Sequence, residues 1–503
     1  MDLEASRHDE LDVLIIGAGV SGIGAAYHLQ KEQPGKSFAI LEARNDLGGT
    51  WDLFRYPGIR SDSDLYTFGY EFKPWTDDKA IADGPAIKAY VKETAEENGI
   101  DRKIRYGHKV QRAEWSSEDA RWTLTVELAD TGETFEMKAK WIFAATGYYR
   151  YDEGYMPHFE GIADYEGQII HPQHWPEDLD VSGKRVVIIG SGATAVTLLP
   201  ELAKEAEHVT MLQRSPTYIL PVPEKDRVAL LLRRVLGETR AYRIIRRKHI
   251  LRQKAFYQFC QRFPKTARAF IRRVNTKELE GSDCDVDVHF NPTYDPWDQR
   301  LCAVPDGDLY EALKNGSSSV VTDRIETFTP NGLKLESGSE LEADIVITAT
   351  GLNVQLFGGI KVEIDGETLD APSTVAYKGM MLSDVPNLVF AIGYTNSSWT
   401  LKVDLVCQYF CRLLGYMDEG HFDSAVARVS DPDMDRVPLL DFPAGYVLRA
   451  LDELPRQGTK EPWYLAQSYY KDSRFLRHGD VADEYMDFRR IEHKSEAREE
   501  VPA

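Results

Sequence analysis

Two stretches of this chain repeat one pattern of apolar and polar positions. In residues 11–22, and again in residues 184–195, an apolar run leads into a Gly-x-Gly turn and then into residues with helical spacing. Two further apolar runs, at residues 141–147 and 344–351, both end in Ala-Thr-Gly. A buried strand followed by a glycine turn and a helix begins a dinucleotide-binding unit. The pattern therefore predicts an α/β protein with two Rossmann-like dinucleotide-binding domains.

The glycines of the first loop have separate roles in this prediction. Gly17 permits the tight turn, Gly19 lets the backbone approach a pyrophosphate, and Gly22 allows close packing of helix on strand. Ser21 lies beside the helix N-terminus, where an anion is stabilised. The second loop has the same spacing, with Ala in place of the third glycine, and its predicted nucleotide contacts are Gly190, Ser191, Gly192, Thr194 and Ala195.

The residues that follow each loop differ in charge and predict different dinucleotides. Glu42 ends the strand after the first loop, where a carboxylate can accept hydrogen bonds from ribose hydroxyls but would repel a 2′-phosphate. Arg214 takes the equivalent place after the second loop, followed by Ser215, and a guanidinium suits a phosphate dianion. We therefore expect FAD at the first loop and NADPH at the second.

The two Ala-Thr-Gly segments predict where the chain crosses between domains. We expect residues 1–148 to form the first part of the FAD domain and residues 149–352 to form the NADP domain. Residues 353–503 then supply the second part of the FAD domain and a C-terminal tail, so the FAD domain is discontinuous. A last buried strand of that domain is predicted at residues 386–393, followed by a helix.

Composition and charge narrow the classes of partner and reaction. Of 503 residues, 60 are Lys or Arg and 81 are Asp or Glu, and the net charge of −21 disfavours a nucleic-acid partner. The polar first residues do not resemble a signal peptide, so a cytoplasmic protein is expected. His and Cys show no metal-ligand spacing, and the absence of Cys-x-x-Cys disfavours a disulfide reductase. Cys407 and Cys411 share one helical face and are expected in the core.

One segment departs from this acidic average. Residues 224–285 are rich in Arg and Lys with apolar residues interleaved, and we expect them to form basic helices inserted into the NADP domain. Basic amphipathic helices can lie peripherally on an anionic membrane surface. A solvated cationic face packed on its own domain is the alternative, and the sequence leaves both open.

Two motifs between the loops resemble those of a known family. Residues 48–62 contain Gly-Gly-Thr-Trp, Tyr-Pro-Gly and Asp62, and residues 165–176 read Tyr-x-Gly-x3-His-x3-Trp-Pro. Both are similar, at full spacing, to patterns of the type I Baeyer–Villiger monooxygenases within the flavin-containing monooxygenase superfamily. Tyr165 replaces the usual Phe, and Trp175 differs from the Tyr or Phe of heteroatom-oxygenating relatives. Residues 294–300, Tyr-Asp-Pro-Trp-Asp-Gln-Arg, most resemble the ethionamide-activating subgroup.

The resemblance implies a reaction and two catalytic residues. It implies that FAD, NADPH and molecular oxygen convert ketones to esters or lactones through a flavin peroxide, with sulfide oxygenation as a side activity. Arg300 matches the family's catalytic arginine, whose fixed charge stabilises the peroxide and the tetrahedral adduct. Asp62 matches the acidic residue that is paired with this arginine, and it is also expected to contact FAD.

The family also implies further cofactor contacts, at Thr50, Trp51 and Val110 for FAD and at Arg60, Ser61 and Trp463 for NADP. For Val110 the expected contact is through the backbone, and simple core packing is an equal alternative. Trp463 has the same alternative, because the residues after it depart from the usual continuation. His171 is expected to position the domains rather than to act as an acid.

Two other functions remain compatible with these residues. A flavin monooxygenase restricted to amine or sulfide oxygenation would need a protonated hydroperoxide rather than a nucleophilic peroxide. A non-oxygenating NADPH-dependent flavin reductase would use both nucleotides without transferring oxygen to a substrate. The natural substrate is not determined by any of these motifs, because a fold resemblance does not supply one.

Overall fold

A computed structural model of the protein describes residues 10–299, 301–440 and 444–491. Arg300 and the charged C-terminal tail therefore lie outside the described residues. The helices are α1 (Val20–Glu32), α2 (Thr50–Leu53), α3 (Leu65–Phe68), α4 (Gly84–Glu97), α5 (Ala193–Leu202), α6 (Arg227–Leu236), α7 (Glu238–Arg262), α8 (Pro264–Glu278), α9 (Val286–His289), α10 (Asp308–Lys314), α11 (Trp399–Gly420), α12 (Gly445–Ala450) and α13 (Tyr469–His478).

A nine-stranded sheet takes strands from both parts of the chain that are assigned to the FAD domain. Its order is Glu367–Thr368, Lys361–Ile364, His108–Ser116, Arg121–Leu128, Thr134–Ala144, Glu10–Ile16, Phe38–Leu41 and Ile104–Arg105, with Leu388–Phe390 pairing beside Thr134–Ala144. The strand before the first glycine loop pairs in parallel on both sides. Such a strand is covered on both faces, which explains its continuous apolar sequence.

A second sheet has five strands, and all of its pairings are parallel. Its order is Ser318–Thr322, His208–Gln213, Arg185–Ile189, Ile345–Thr348 and Gln168–Ile170. The second glycine loop follows its central strand, as the first loop follows the corresponding strand of the larger sheet. The predicted α/β fold with two Rossmann-like units is confirmed.

The two predicted crossings lie side by side between the sheets. Tyr149–Gly154 and Leu352–Val354, which follow the two Ala-Thr-Gly segments, form an antiparallel pair. One ring nitrogen of His171, Nε2, lies 3.2 Å from the carbonyl oxygen of Gly351, and Gln173 donates to the Arg150 and Tyr151 carbonyls. Burial lowers the pKa of His171 and favours the neutral ring. His171 therefore fastens the second motif to the crossings, which fits the positioning role expected of it.

The remaining strands form small pairs and one three-stranded sheet. They are Ile219–Val222 with Cys302–Pro305, Ala376–Tyr377 with Met381–Leu382, Ser424–Ala427 with Met486–Arg489, Arg436–Pro438 with Arg456–Gly458, and the set Ile325–Thr329, Gly332–Leu335 and Glu340–Glu342. We propose that the domain limits given above apply to these sheets, because the strand pair between the sheets coincides with the predicted boundaries.

The basic insert forms helices α6, α7 and α8 between the paired strands Ile219–Val222 and Cys302–Pro305. Its apolar residues Ala229, Tyr242 and Ile245 belong to the core beside the nine-stranded sheet. Arg246 is buried and donates to the carbonyl oxygens of Tyr66, Thr67 and Gly69 at the end of α3, at 3.0, 3.2 and 2.6 Å. The insert therefore packs against the FAD side of the molecule and not only against its own domain. Within the described residues, no helix is long and apolar enough to cross a membrane.

The predicted last strand, the helix after it and the burial of two cysteines are also found in the C-terminal region. Leu388–Phe390 is a buried strand that returns to the nine-stranded sheet, and α11 follows it. Cys407 and Cys411 are buried on α11, where burial raises the pKa of both thiols. These cysteines therefore pack in the core, where a thiolate is disfavoured.

Candidate active site

The first glycine loop is shaped by steric limits at two of its glycines. Gly17 has a φ of +102°, and a Cβ atom there would lie 2.7 Å from the carbonyl oxygen of Ala145. A Cβ atom at Gly22 would lie 1.9 Å from the Gly17 carbonyl oxygen. Gly19 is the N-cap of α1, and no side chain caps the first turn of that helix. The backbone N–H groups of this turn are therefore suited to bind a pyrophosphate.

Glu42 lies beside this loop with its carboxylate buried. Oε2 accepts a hydrogen bond from the backbone N–H of Ala18 at 2.8 Å, and Oε1 accepts one from Arg44 at 3.0 Å. Burial raises the pKa of Glu42, and the two N–H donors only partly oppose this effect. A carboxylate has further lone pairs beyond the two used here, so ribose hydroxyls can also be bound.

Two other predicted FAD contacts have different environments. The hydroxyl oxygen of Ser21 accepts a hydrogen bond from Nε1 of Trp399 at 2.9 Å, and Trp399 stacks on Tyr148 with ring centroids 5.3 Å apart. Val110 lies opposite Val126 in the nine-stranded sheet, and its side chain is buried in the apolar core. Val110 can thus offer a cofactor only its backbone, and the core-packing alternative accounts for its side chain.

The second loop repeats the geometry of the first. Gly190 has a φ of +135°, and a Cβ atom there would lie 2.3 Å from the carbonyl oxygen of Ala349. Gly192 is the N-cap of α5 with φ −79° and ψ −174°, close to the −79° and −172° of Gly19. Its α-carbon faces open space, and Ala195 is buried where the third glycine stands in the first loop. Both loops therefore leave an uncapped helix N-terminus that can hold a pyrophosphate.

The segment after the next strand completes this second cradle. Ser191 shares a hydrogen bond of 2.7 Å with the Thr217 hydroxyl and donates to the carbonyl oxygen of Ser215 at 3.3 Å. The Arg214 side chain is exposed and forms no ion pair with any carboxylate that the structure describes. Its guanidinium is thus available to a phosphate group, as the sequence predicts.

The segment after Gly48-Gly49 connects the first loop to the rest of the site. Thr50 and Trp51 lie on α2, where the Trp51 ring packs edge-on against Phe68 at 5.7 Å. The Thr50 side chain lies near the phenol of Tyr151, a residue of the predicted first crossing, and burial raises the pKa of Tyr151 to about 12. Both predicted FAD residues therefore lie between the glycine loop and the crossing.

The two nucleotide loops meet through residues 56–62. The Tyr56 phenol is buried and lies close enough to the Thr194 side chain of the second loop for that side chain to lower its pKa. Burial and, to a smaller extent, the Asp62 charge raise the pKa of Tyr56, Thr194 and Arg60 lower it, and the net result is a pKa of about 12. Arg60 also forms an ion pair with Asp308 of α10. Residues predicted for FAD, NADP and catalysis are thus brought together where the two units join.

Two further predicted residues are Ser61, an NADP contact, and Arg300, the catalytic arginine. Ser61 is buried, and its hydroxyl donates to the carbonyl oxygen of Ser63 at 2.8 Å. Arg300 lies outside the described residues, so its catalytic role stays a prediction. Among the residues that the structure describes, no group of three His, Cys, Asp or Glu could hold a metal ion.

The Trp463 side chain packs among aromatic residues of the core. This side chain is 3% exposed and packs edge-on against Tyr377 and Tyr485, with ring centroids 5.4 and 5.8 Å apart. All three rings lie in or against the core beside the nine-stranded sheet. This packing fits the alternative of a core tryptophan, and the nicotinamide contact stays a prediction.

Several residues of the site were not singled out by the sequence. Tyr56 was visible only as the aromatic of a motif, and its contact with Thr194 depends on the packing of two distant segments. Asp308 and Trp399 belong to no motif, and only the structure joins them to Arg60 and Ser21. Asp308 and Trp399 each begin a helix. Acidic and apolar residues are common at helix starts, so neither residue could be assigned to the site from the sequence.

This chain is similar to known proteins over most of its length. Residues 14–226 match the family model described as "Pyridine nucleotide-disulphide oxidoreductase". The FAD-containing monooxygenase EthA of Mycobacterium tuberculosis (strain ATCC 25618 / H37Rv) is 55% identical over 482 residues, which cover 95% of this chain and 98% of that protein. The probable FAD-binding monooxygenase AlmA of Acinetobacter baylyi is 47% identical over 487 residues, covering 95% and 96%.

Solved structures share the fold over most of the chain. Steroid monooxygenase bound to NADP has a TM-score of 0.74 and 21% identity, and the match covers 96% of this chain and 100% of that one. The open form of cyclohexanone monooxygenase has a TM-score of 0.71 and 22% identity, covering 84% and 90%. At these identities the likeness concerns the fold.

Proposed function

Because the chain belongs to the family of FAD-containing monooxygenases, we propose that it is an NADPH- and O2-dependent enzyme of the Baeyer–Villiger type. In this proposal it inserts one oxygen atom into ketones to give esters or lactones. The observation that carries the proposal is the junction at residues 56–62. There Tyr56 lies close to Thr194, and the charges of Asp62 and Arg60 shift the pKa of Tyr56 in opposite directions. This junction brings the motif typical of the family to the place where the two cofactor cradles meet.

The residues of the two cradles fit the two cofactors. The uncapped N-terminus of α1 would hold the FAD pyrophosphate, and Glu42 would bind its ribose. The N-terminus of α5 would hold the second pyrophosphate, with Arg214 on the 2′-phosphate of NADPH. When bound, the two cofactors would supply hydride transfer and the chemistry that activates oxygen. Gly19 and Gly192 support this assignment, because they are N-caps with nearly the same backbone angles and no side chain caps either helix.

Arg300 and Asp62 have distinct roles in this proposal. A guanidinium does not lose its proton at neutral pH, so Arg300 would stabilise negative charge as it develops on the ketone oxygen. Asp62 would hold that guanidinium in place and keep it charged. Neither residue supplies a proton in this scheme. His171 does not supply one either, and its contact with the Gly351 carbonyl oxygen is structural.

Product analysis with Arg300→Ala tests the proposal. Removing one such stabilising group should lower ester formation about 10²- to 10³-fold, while NADPH still reduces the flavin. Purified wild type and variant are compared on a panel from short aliphatic to bulky cyclic ketones, scored by oxygenated product rather than NADPH loss. Arg300→Lys, which keeps the charge, serves as the matched variant. Ester formation at the normal rate in Arg300→Ala would show that the assigned role is wrong.

The same assay separates the proposed function from its alternatives. Oxygenation of a thioether beside the ketone is expected, since sulfide oxygenation belongs to this proposal. Product from the thioether alone would favour a heteroatom-oxygenating enzyme, and NADPH consumed only as hydrogen peroxide would favour a reductase. We place the enzyme in the cytoplasm as part of the same proposal, with the basic insert as the segment that can contact a membrane surface.

A further inference from the structure

The basic insert exposes an unusual share of large apolar side chains. Of the fifteen such side chains that are exposed in the described residues, eight lie between Arg227 and Glu278. They are Val228, Leu231, Val235, Leu236, Ile244, Leu251, Phe263 and Phe270. Isolated exposed apolar residues are normal on a protein surface, but a concentration of them indicates a contact site.

On α6 the exposed apolar residues form one face. Val228, Leu231 and Val235 follow the spacing i, i+3 and i+7, and they are 53%, 62% and 70% exposed. The other side of the helix is fixed by Ala229 and Leu232, which pack in the core beside the nine-stranded sheet. The apolar face of α6 therefore points away from the protein.

On α7 the same division recurs. Tyr242 and Ile245 pack in the same core as α6, while Ile244 and Leu251 are 47% and 54% exposed on the opposite face. The two helices also pack against each other, so we take their outward sides together as one candidate surface. We call this surface the insert face, formed by Val228, Leu231, Val235, Ile244 and Leu251 with the arginines Arg234, Arg240, Arg243 and Arg247.

The charge of the insert is opposite to that of the rest of the chain. Residues 227–278 contain 16 Lys or Arg residues and two acidic residues, a formal charge of +14 within a chain of −21. The four arginines of the insert face are exposed and have no ion pair with any described residue. Their positive charge is therefore not neutralised by the protein itself.

We infer that the insert face binds the surface of an anionic lipid bilayer. Arginine side chains can reach lipid phosphates while the apolar residues between them enter the boundary between headgroups and acyl chains. The helices would lie in that boundary rather than cross it, since none of the described helices can span a membrane. This inference deepens the peripheral contact proposed above, and it is independent of ketone oxygenation.

Other occupants of the insert face are less well matched to it. Nucleic acid would use the arginines but would leave the exposed leucine, isoleucine and valine side chains without partners. The acidic remainder of a second copy would attract the arginines, but it would also have to offer an apolar surface of matching shape. A bilayer satisfies both kinds of side chain without any shape requirement.

Vesicle flotation of the FAD-loaded enzyme tests this inference. Vesicles of equal parts phosphatidylglycerol and phosphatidylcholine are compared with vesicles of phosphatidylcholine alone. Wild type should float with the anionic vesicles, weakly with the neutral ones, and less as salt is raised. Leu231→Glu with Val235→Glu should lower the partition coefficient at least about 10-fold, because two apolar contacts are lost. Arg243→Glu with Arg247→Glu should have an effect of similar size on anionic vesicles.

Leu448→Glu is the matched control, because Leu448 is 52% exposed on α12 and lies outside the insert. It should bind vesicles like wild type. The inference is overturned if wild type ignores anionic vesicles, if it binds neutral vesicles equally well, or if the insert-face variants bind unchanged. The face would instead be assigned to a second copy if the wild type binds no vesicles and light scattering shows that it self-associates while the insert-face variants do not. Oxygenation of a water-soluble ketone should be unchanged in every variant, so its loss would concern the proposed function instead.

Discussion

Arg60 forms an ion pair with Asp308, the first residue of α10. One guanidinium nitrogen of Arg60, Nη2, lies 3.4 Å from Oδ1 of Asp308, and Nη1 makes a shorter contact with Oδ2. Arg60 follows the Tyr-Pro-Gly motif of the FAD side, whereas α10 packs against α5, the helix of the second glycine loop. The ion pair therefore spans the junction of the two units and fixes the position of Arg60, which is expected near the nicotinamide.

Removal of this partner should affect the use of NADPH. In Asp308→Asn the guanidinium loses a charged acceptor and its fixed orientation, a loss of about 1 kcal/mol that should raise the KM for NADPH about 5-fold. The value of kcat should change less, because the reacting atoms are not touched. Steady-state kinetics with varied NADPH measure both. Glu326→Gln, which removes the exposed Lys334–Glu326 ion pair, is the control, and an equal rise there would argue against a specific role.

Arg214 should decide the preference for NADPH over NADH. Its guanidinium is exposed, and charge-assisted hydrogen bonds contribute about 1.5 to 3 kcal/mol each, so Arg214→Ala should lose roughly 10- to 150-fold of this preference. The ratio of kcat/KM for the two cofactors measures the change. Arg474→Ala, an exposed arginine on α13, should leave the ratio unaltered. An unchanged ratio in Arg214→Ala would remove Arg214 from the 2′-phosphate site.

His249 should be important for the stability of the insert. Its ring nitrogens lie 3.0 Å from the Asp64 carboxylate and 2.7 Å from the Asp226 carboxylate, and these two residues cap α3 and α6. His249→Leu would leave the buried carboxylates facing each other, so the free energy of unfolding should fall by about 3–5 kcal/mol. Urea denaturation measures this change.

Two further variants make the His249 prediction specific. Adding Asp64→Asn to His249→Leu should restore part of the lost stability, because one of the opposed charges is removed. His158→Leu, at a side chain that is 88% exposed, should have little effect. If His249→Leu has the same urea midpoint as the wild type, the contacts of the His249 ring with Asp64 and Asp226 do not stabilise the protein.

His28 should make stability depend on pH in the alkaline range. Burial alone would lower the pKa of this side chain, but the carboxylates of Asp404 and Glu32 together raise it from 6.5 to about 9. Because the folded pKa is the higher one, this stabilisation is fully present below pH 6.5 and is lost as the pH rises to about 9. Urea denaturation between these two pH values should show a decline that His28→Gln reduces and the exposed-site variant His158→Gln does not. An equal decline in His28→Gln would contradict this assignment.

Much of the fold follows from local patterns along the chain. The glycine loops, the strands before them and the buried strand Leu388–Phe390 were all predicted, because apolar runs and glycine turns limit the backbone locally. For Trp463 the sequence left core packing and a cofactor contact open as alternatives. Its neighbours Tyr377 and Tyr485 come from other segments, and a tryptophan suits an apolar core as well as a cofactor surface.

The packing of the basic insert shows the same limit. Its helical character and charge were evident from the sequence, but the burial of Arg246 against the end of α3 was not. An arginine in a basic helix is usually solvated, and the burial of Arg246 depends on a nearby set of carbonyl groups together with the buried Asp404 carboxylate, 3.5 Å away. Those carbonyls belong to Tyr66, Thr67 and Gly69, which lie far from Arg246 in sequence.

The sequence by itself determined two nucleotide loops, the charges that distinguish their nucleotides, and a motif set typical of one enzyme family. These features depend on backbone sterics and on charge at fixed spacing, which are local properties. Only the tertiary structure decided that Tyr56 reaches Thr194, that Arg60 pairs with Asp308, and that α6 and α7 turn one apolar, basic face outward. These contacts depend on how separate segments pack, because burial and ion pairing are set by all the neighbours of a side chain at once.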